Sequence, residues 1–149
     1  MTERSAGRGG AVAAALLLAA CSRALPAGPV EPVWDRTPCA ECRMLISDPG
    51  FAAQLQTRGG GVLHFDDPGC LLRHEARERP ELHAAWFHHH AAERWISRED
   101  VRFVRVESSP MGYGLGAVAA REAGSEALAV DEARAVVERT EAARGRDAR

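Results

Sequence analysis

The sequence predicts a small α+β domain made of two ββα(β)-like halves. Each half contains two short strand-like segments followed by a segment with helical features. The chain has 149 residues, which fits one small domain preceded by a targeting segment. The halves are expected to cover about 39–107 and 108–143, and a polar tail at 144–149 is expected to fray.

Residues 1–20 have the features of a signal sequence for export. Arg4 and Arg8 give a positive start, and the apolar run that follows is too short to span a bilayer core of about 30 Å. The run ends in Leu-Ala-Ala-Cys, which resembles the lipobox of bacterial lipoproteins, with a chance cysteine as the alternative. Cys21 is thus the predicted lipidation site, and acyl chains would anchor the protein to the periplasmic face of a bacterial membrane. Ser22 resembles a position that directs lipoproteins to the outer membrane.

The segment that follows, 21–38, is predicted to be a flexible tether, because it carries four prolines between polar residues. Removal of residues 1–20 changes the net charge from −2 to −3, since that segment holds two arginines and one glutamate. The remaining chain lacks the concentrated basic face of a nucleic-acid-binding protein. No nucleic-acid partner is therefore expected.

The first half is predicted to form a hairpin and a helix. Strand-like segments at 51–56 and 61–65 are separated by a glycine-containing turn. Asp67 is a predicted helix cap, and Pro68 fits the first helical position, where its missing N–H leaves no hydrogen bond unmade. The helix is expected to end at about Arg79.

The second half repeats this order. Segments 115–120 and 127–130 are predicted strands, and the helix that follows them has apolar residues at i, i+3, i+4 and i+7. The similarity indicates a degenerate internal repeat, with a chance match as the alternative. Between the two units, 85–89 and 101–107 are further predicted strands, joined by a loop that contains Trp95.

Three sulfur-containing residues, Cys39, Cys42 and Met44, lie within six positions of one another. Thiolate and thioether are soft donors that favour Cu(I), whereas Zn(II) is usually bound by cysteine and histidine. A Cys-x-x-Cys loop can direct both thiols to one ion, and the flexible Met44 side chain can reach the same point. This pattern predicts a metal site. A disulfide or redox pair, with the methionine filling the core, is the alternative.

Cys70 and Met111 are additional candidate ligands. With Cys21 acylated, three thiols remain, and an odd number cannot be fully paired within one chain in an oxidising compartment. Cys70 falls in the first turn of the first predicted helix, where a thiolate is favoured, or else it packs as a small apolar residue. Met111 lies in a glycine-containing loop, where it either binds the metal or packs in the core.

The histidines are weaker candidates. His64 can face either the core or a site. The run 88–90 is predicted to be a solvated strand end, because consecutive side chains of a strand point to opposite faces and cannot chelate together. One of the three can still complete a site.

Four motifs occur in order along the chain, behind the lipoprotein signal. They are Cys39-x-x-Cys42-x-Met44-x-Ile46-x-Asp48, Phe51-Ala52-Ala53-Gln54, Phe65-Asp66-Asp67-x-x-Cys70 and Pro110-Met111-Gly112-x-Gly114. Together they resemble the NosL family of nitrous oxide reductase accessory proteins, over roughly residues 39–131. The ordered set is more specific than any single motif.

The resemblance implies a lipid-anchored periplasmic copper chaperone with two ββαβ-like halves, similar to part of the organomercurial lyase. Such a protein binds one Cu(I) and passes it, through a membrane ABC-type complex with a periplasmic docking subunit, toward the copper clusters of nitrous oxide reductase. Cys42 and Met44 are the first candidate ligands, Cys39 is the next, and Met111 and Cys70 are additional candidates.

One position departs from the family pattern. The family usually shows Cys-Gly-Met, and this chain has Cys42-Arg43-Met44, in which a bulky cation replaces a permissive glycine. The cation can hold Cys42 as a thiolate. Equally, the altered loop can belong to a divergent metal protein with another client.

No enzyme is predicted, because the sequence shows no nucleophile triad, paired acids or phosphate loop. Two other function classes stay open. One is a thiol-disulfide redox protein that uses Cys39 and Cys42, although the helix that normally follows such a pair is missing. The other is a small domain held by structural Zn(II) on Cys39, Cys42, Cys70 and a histidine, which should unfold when the metal is chelated.

Overall fold

The computed structural model describes residues 24–148 and has the predicted α+β architecture. The predicted signal sequence, the lipidation site Cys21 and Ser22 lie outside the described residues. Within the described chain, no helix is both long and apolar enough to cross a membrane. The helices and strands are β1 Ala53–Thr57, β2 Val62–Phe65, α1 Pro68–Glu78, β3 Leu82–His88, β4 Trp95–Ser97, β5 Val101–Arg105, β6 Leu115–Ala119 and α2 Val130–Asp147.

Two antiparallel sheets form the β part of the domain. β2, β1, β3 and β4 pair in that order, and β5 pairs with β6. In the larger sheet, Leu55 of β1 lies opposite Leu63 of β2 and Ala85 of β3. Phe87 of β3 and Phe103 of β5 contact each other edge to face, with ring centroids 5.1 Å apart. The two sheets therefore share one core.

The helices pack against each other and against the strands. α1 contacts β1, β2 and β6, and α2 contacts β5. Leu71 and Leu72 of α1 and Val137 of α2 are buried in the shared core. Burial of a leucine side chain is worth about 1.5–3 kcal/mol, so α1 is held to the strands mainly by its apolar face.

The N-terminal strap, residues 26–34, lies across the other face of the larger sheet. Gln54 and Gln56 alternate with core residues along β1, so their side chains point away from the core. Val30 N–H donates to Gln54 Oε1 at 3.0 Å, and Gln56 Nε2 donates to the Gly28 carbonyl at 2.7 Å. Both glutamines are fully buried. The described part of the predicted tether is thus in contact with the domain.

The predicted start of α1 is confirmed. Asp67 is the N-cap, and its Oδ1 accepts a hydrogen bond from Gly69 N–H at 2.8 Å. Pro68 is the first helical residue. The helix ends at Glu78, and Arg79 closes it in the left-handed conformation with φ 48°. The end agrees with the prediction to within one residue.

The predicted strand at 127–130 is wrong. Leu128 forms only an isolated bridge with Phe103 of β5, in which each backbone N–H donates to the other carbonyl, at 2.7 and 2.9 Å. Val130 already begins α2, so no length remains for a regular strand. β6 pairs instead with β5. The second ββα unit therefore consists of β5, β6 and α2, and it crosses the predicted boundary between residues 107 and 108.

The region around Trp95, predicted as a loop, contains β4. This short strand pairs with the end of β3, where Trp95 lies opposite His88. Their rings contact each other edge to face at 5.3 Å between centroids. This cross-strand aromatic contact stabilises the pairing of β4, which extends the sheet by one strand.

The predicted polar tail, 144–149, is helical as far as Asp147. The contacts of Arg144 explain this difference. Its guanidinium lies over the Tyr113 ring, 4.8 Å from the ring centroid, and donates a hydrogen bond to the Met111 carbonyl. These contacts attach the last turns of α2 to the loop before β6.

Gly69 is required by the close approach of α1 to Tyr113. A Cβ atom at this position would lie 2.2 Å from Tyr113 Cδ2 and 2.9 Å from Tyr113 Cβ. We expect Gly69→Ala to lower the free energy of unfolding by about 1–3 kcal/mol, measured by urea denaturation. Gly145→Ala is the matched control, because a Cβ there meets nothing within 4 Å, and it should cause no loss. Equal stability of the two variants would contradict the close packing at Gly69.

Candidate metal centre

A closed loop, residues 37–46, carries the thiols of Cys39 and Cys42. Cys39 N–H donates to the Met44 carbonyl at 2.7 Å, and Arg43 N–H donates to the Cys39 carbonyl at 3.1 Å. Arg43 has φ 70°, in the left-handed region that favours glycine. The backbone of the loop thus folds back on itself and keeps its two cysteines close together.

Three segments of the chain meet at this loop. Ala40 N–H donates to the His64 carbonyl at 2.8 Å and so attaches the loop to β2. Asp66 directly follows β2, and Cys70 lies in the first turn of α1. The short connection between β2 and α1 therefore brings both side chains to the loop.

The side chains of Cys39, Cys42, Asp66 and Cys70 form a group that we name the cysteine cluster. Their ligand atoms all lie within 4.8 Å of one another. The three thiols are free of disulfide bonds. Two sulfurs bound tetrahedrally to one ion at about 2.3 Å lie about 3.8 Å apart, so the cluster needs to contract by only about 1 Å. It can therefore hold a metal ion.

The cluster is enclosed on one side and accessible on the other. Cys39 and Cys70 are 0% and 1% exposed, and Asp66 is also buried. Cys42 is half-buried, and its thiol donates a hydrogen bond to Asp66 Oδ1 at 3.3 Å. Cys42 is thus the member of the cluster that solvent or another molecule reaches first.

Hydrogen bonds between the thiols distribute their protons unequally. The pKa of Cys39 is lowered to about 7, chiefly because the Cys70 thiol donates a hydrogen bond to it. The same hydrogen bond, together with burial, raises the pKa of Cys70. Burial raises the pKa of Cys42 to about 12. Cys39 is therefore the first of the three thiols to ionise as the pH rises, and Cys42 and Cys70 keep their protons near neutral pH.

The structure brings together three of the five predicted ligands and adds one residue that the sequence reasoning missed. Cys39, Cys42 and Cys70 belong to the cluster. Asp66 is not a predicted ligand, because the capping role of the next residue, Asp67, already explains an acidic group at this place. The signal that was available is its spacing, since Asp66 precedes Cys70 by four residues across the start of the helix.

The two methionines, predicted as thioether ligands, lie in different loops and are not members of the cysteine cluster. Met44 lies in the loop 37–46, which we call the cysteine loop, and is 61% exposed. Met111 is half-buried and packs against the core. Its backbone N–H donates to Asp67 Oδ2 at 3.0 Å, which ties the Met111 loop to the start of α1. Met44 is therefore the more exposed of the two methionines.

Among the described residues, no histidine belongs to the cluster. The His64 side chain lies on the strap side of the sheet, where its Nδ1 is 3.2 Å from Gln54 Nε2. The solvated strand end predicted for 88–90 is wrong for two of the three residues, because His88 and His89 are buried. His89 Nε2 is 3.0 Å from Glu122 Oε2, so this ring has a structural partner. The fourth member of the cluster is Asp66, where the zinc alternative predicts a histidine.

Comparison of the chain with protein-family models, with curated proteins and with solved structures gave no match. The fold and the cluster by themselves define the class of protein. It is a small α+β domain with a candidate metal centre of three cysteines and one aspartate.

Metal binding at the cluster is expected to release protons. Cys42 and Cys70 are protonated at neutral pH because their pKa values are raised, so an ion that binds both as thiolates must displace two protons. The apparent affinity for Co(II) should then rise by about a hundredfold per pH unit between about pH 7 and 8. Titrations across this range, with an indicator dye to count protons, measure the effect. Cys70→Ser should release one proton fewer, and a pH-independent affinity would contradict thiolate binding.

Proposed function

We propose that this protein binds Cu(I) at the cysteine cluster and delivers it for the maturation of a periplasmic copper enzyme. The observation that carries the proposal is the convergence of three free thiols on one point of a folded domain. Thiolates are soft donors and, among biological metals, suit Cu(I) well. The NosL-like motifs along the sequence support the same function.

The exposure of Met44 supports a role in metal transfer. Its thioether lies at the surface, two residues beyond the half-buried Cys42. A thioether is a neutral donor and binds more weakly than a thiolate, so it can hold an ion briefly without trapping it. Cys42 and Met44 are therefore the proposed exchange ligands, and Cys39 and Cys70 the proposed retaining ligands.

The surface around the loop suits a partner protein. Val33, Met44 and Leu45 are three of the four large apolar residues that are exposed in the described chain. Met44 and Leu45 belong to the loop, and Val33 adjoins it through the hydrogen bond from Thr37 N–H to its carbonyl. Arg36 and Arg43 are also exposed, and within residues 24–148 neither forms an ion pair. Exposed apolar groups beside unpaired cations favour a partner with an acidic rim.

The proposed partner is the periplasmic subunit of a membrane ABC-type copper-maturation complex. The proposed final recipient is nitrous oxide reductase, and both assignments rest on the resemblance to the NosL family. Acylation of Cys21 would keep the protein at the periplasmic face of the membrane, close to such a complex. Transfer needs only the exchange of ligands on the ion, so no catalytic group is assigned.

The redox alternative is less consistent with the geometry. A thiol that attacks a disulfide must be both ionised and accessible. Here the thiol with the lowered pKa, Cys39, is fully buried, and the accessible thiol, Cys42, has a raised pKa. Neither cysteine combines the two properties.

Structural Zn(II) is the second candidate, and Asp66 is the observation that favours it. Zn(II) accepts carboxylate oxygen together with thiolate sulfur, whereas Cu(I) prefers sulfur alone. With Cu(I), Asp66 would remain outside the coordination sphere, as the acceptor of the Cys42 hydrogen bond. The two accounts differ in what removal of the metal does to the fold.

Residues 22–149, fully reduced and free of metal, should bind one Cu(I) per chain in competition with a chromophoric Cu(I) chelator. Cys42→Ser should weaken binding by at least about tenfold, because it removes a thiolate donor. Met44→Leu should weaken it by a smaller factor, since a thioether is the weaker ligand. Met111→Leu makes the same replacement at the half-buried methionine, and it decides whether Met111 contributes to affinity or only to packing.

Circular dichroism before and after chelation is the control for this titration. The copper-delivery proposal requires the domain to stay folded without its metal. Failure to compete with the chelator, or wild-type affinity in Cys42→Ser, would contradict it. Unfolding on chelation would instead support a structural Zn(II) site.

A further inference from the structure

Glu41, which lies between the two cysteines of the loop, is a buried carboxylate. Its side chain is 1% exposed. A carboxylate removed from water is costly unless it is paired with charge and hydrogen-bonded. Glu41 obtains its partners from a single element of the fold, the helix α1.

Three basic side chains of α1 surround the Glu41 carboxylate. Arg77 Nη1 lies 2.8 Å and Arg73 Nε 3.3 Å from Oε1, and His74 Nδ1 lies 3.2 Å from Oε2. Both carboxylate oxygens therefore have a partner on the helix. The His74 ring also contacts the Phe65 ring, with centroids 5.3 Å apart, which helps to fix its orientation.

The three basic residues share one stripe of α1 with Cys70. Relative to Cys70 they occupy positions i+3, i+4 and i+7, which an α-helix places on the same face. In the loop, Glu41 lies between Cys39 and Cys42. The loop therefore lies along this stripe, with its thiols at Cys70 and its carboxylate farther along the helix.

We propose that Glu41 is a positioning residue for the metal centre and that its ion pairs with α1 hold Cys39 and Cys42 beside Cys70 before the metal arrives. This inference deepens the proposed function and rests on it. Ligands that are already in place bind more tightly, because the cost of ordering them is not incurred during binding. The same ion pairs keep the cysteine loop attached to the domain while the ion is absent.

Glu75 provides a matched control on the same helix. It also pairs with two basic side chains, Arg98 at 3.0 Å and Arg134 at 3.2 Å, and its side chain is 16% exposed. It lies at i+5 from Cys70, off the stripe that faces the loop. Glu75→Gln therefore removes a comparable carboxylate without removing a contact of the cysteine loop.

The test compares Glu41→Gln with Glu75→Gln in the full chain, purified from membranes in detergent. Co(II) binding is followed by its thiolate-to-metal absorption, and Cu(I) binding by competition with a chelator. Glu41→Gln should weaken binding of both ions by at least about tenfold and reduce the thiolate absorption. Glu75→Gln should bind like the wild type, although both variants melt at a lower temperature. Equal affinity of the two variants for Co(II) would overturn the inference.

Two further variants allow the test to be made even if the Glu41→Gln protein does not fold. Arg77→Gln removes the shortest ion pair of Glu41 from a side chain that is 53% exposed, so the fold should tolerate it. It should weaken Co(II) binding by a smaller factor than Glu41→Gln. Glu41→Asp keeps the charge and should recover part of the affinity. Wild-type affinity in Arg77→Gln, or no recovery in Glu41→Asp, would overturn the positioning role.

The use of two ions separates this inference from the proposed function. A wild-type protein that binds Co(II) but not Cu(I) would contradict copper delivery, and the Co(II) comparison of Glu41→Gln with Glu75→Gln would still decide the role of Glu41. A wild-type protein that binds neither ion would overturn both.

Discussion

Both halves of the domain depend on the buried carboxylate of Asp67. Its Oδ1 caps α1 by accepting from Gly69 N–H at 2.8 Å, and its Oδ2 accepts from Ser109 Oγ at 2.6 Å and from Met111 N–H at 3.0 Å. Burial raises the pKa of Asp67, while these hydrogen bonds oppose the shift. One side chain thus fixes the start of the helix that carries Cys70 and the loop that leads into β6. If this contact were lost, the first turn of α1 would lose its cap and its hydrogen bonds to the loop before β6.

Helix α1 connects the stability of the fold to the geometry of the metal centre. Leu71 and Leu72 anchor one face in the core, and Glu75 joins the helix to α2 through Arg134. The remaining stripe begins with Cys70 and binds the cysteine loop. Because one rigid element makes all of these contacts, the position of Cys70 is determined by core packing as much as by the other ligands. Contacts within the protein therefore position a site that is assembled from separate segments of the chain.

Features that depend on adjacent residues could be predicted from the sequence, and features that depend on distant partners could not. The Asp67 cap and the Cys39 and Cys42 pair are local patterns, and the structure contains both. The segment 127–130 is predicted as a strand from its composition. In the structure β5 pairs with β6, and the segment forms only a single bridge to β5. The proximity of Asp66 to Cys70 follows from their spacing, but its proximity to Cys39 and Cys42 arises only when the cysteine loop folds onto the end of β2. The burial of two glutamines of β1 under the strap also depends on residues that are distant in the sequence.

Under the proposed function, the asymmetry of the cluster sets the order in which Cu(I) would leave its ligands. Cys39 and Cys70 are enclosed, whereas Cys42 is half-buried and has a pKa raised to about 12. A thiol of high pKa regains its proton readily once its bond to the ion breaks, and Asp66 Oδ1 lies 3.3 Å from the Cys42 sulfur, where it accepts the hydrogen bond of the restored thiol. Release would therefore begin at Cys42, beside the exposed Met44, and end at the two buried sulfurs. A partner that supplies soft donors would first replace Cys42, on the accessible side of the cluster.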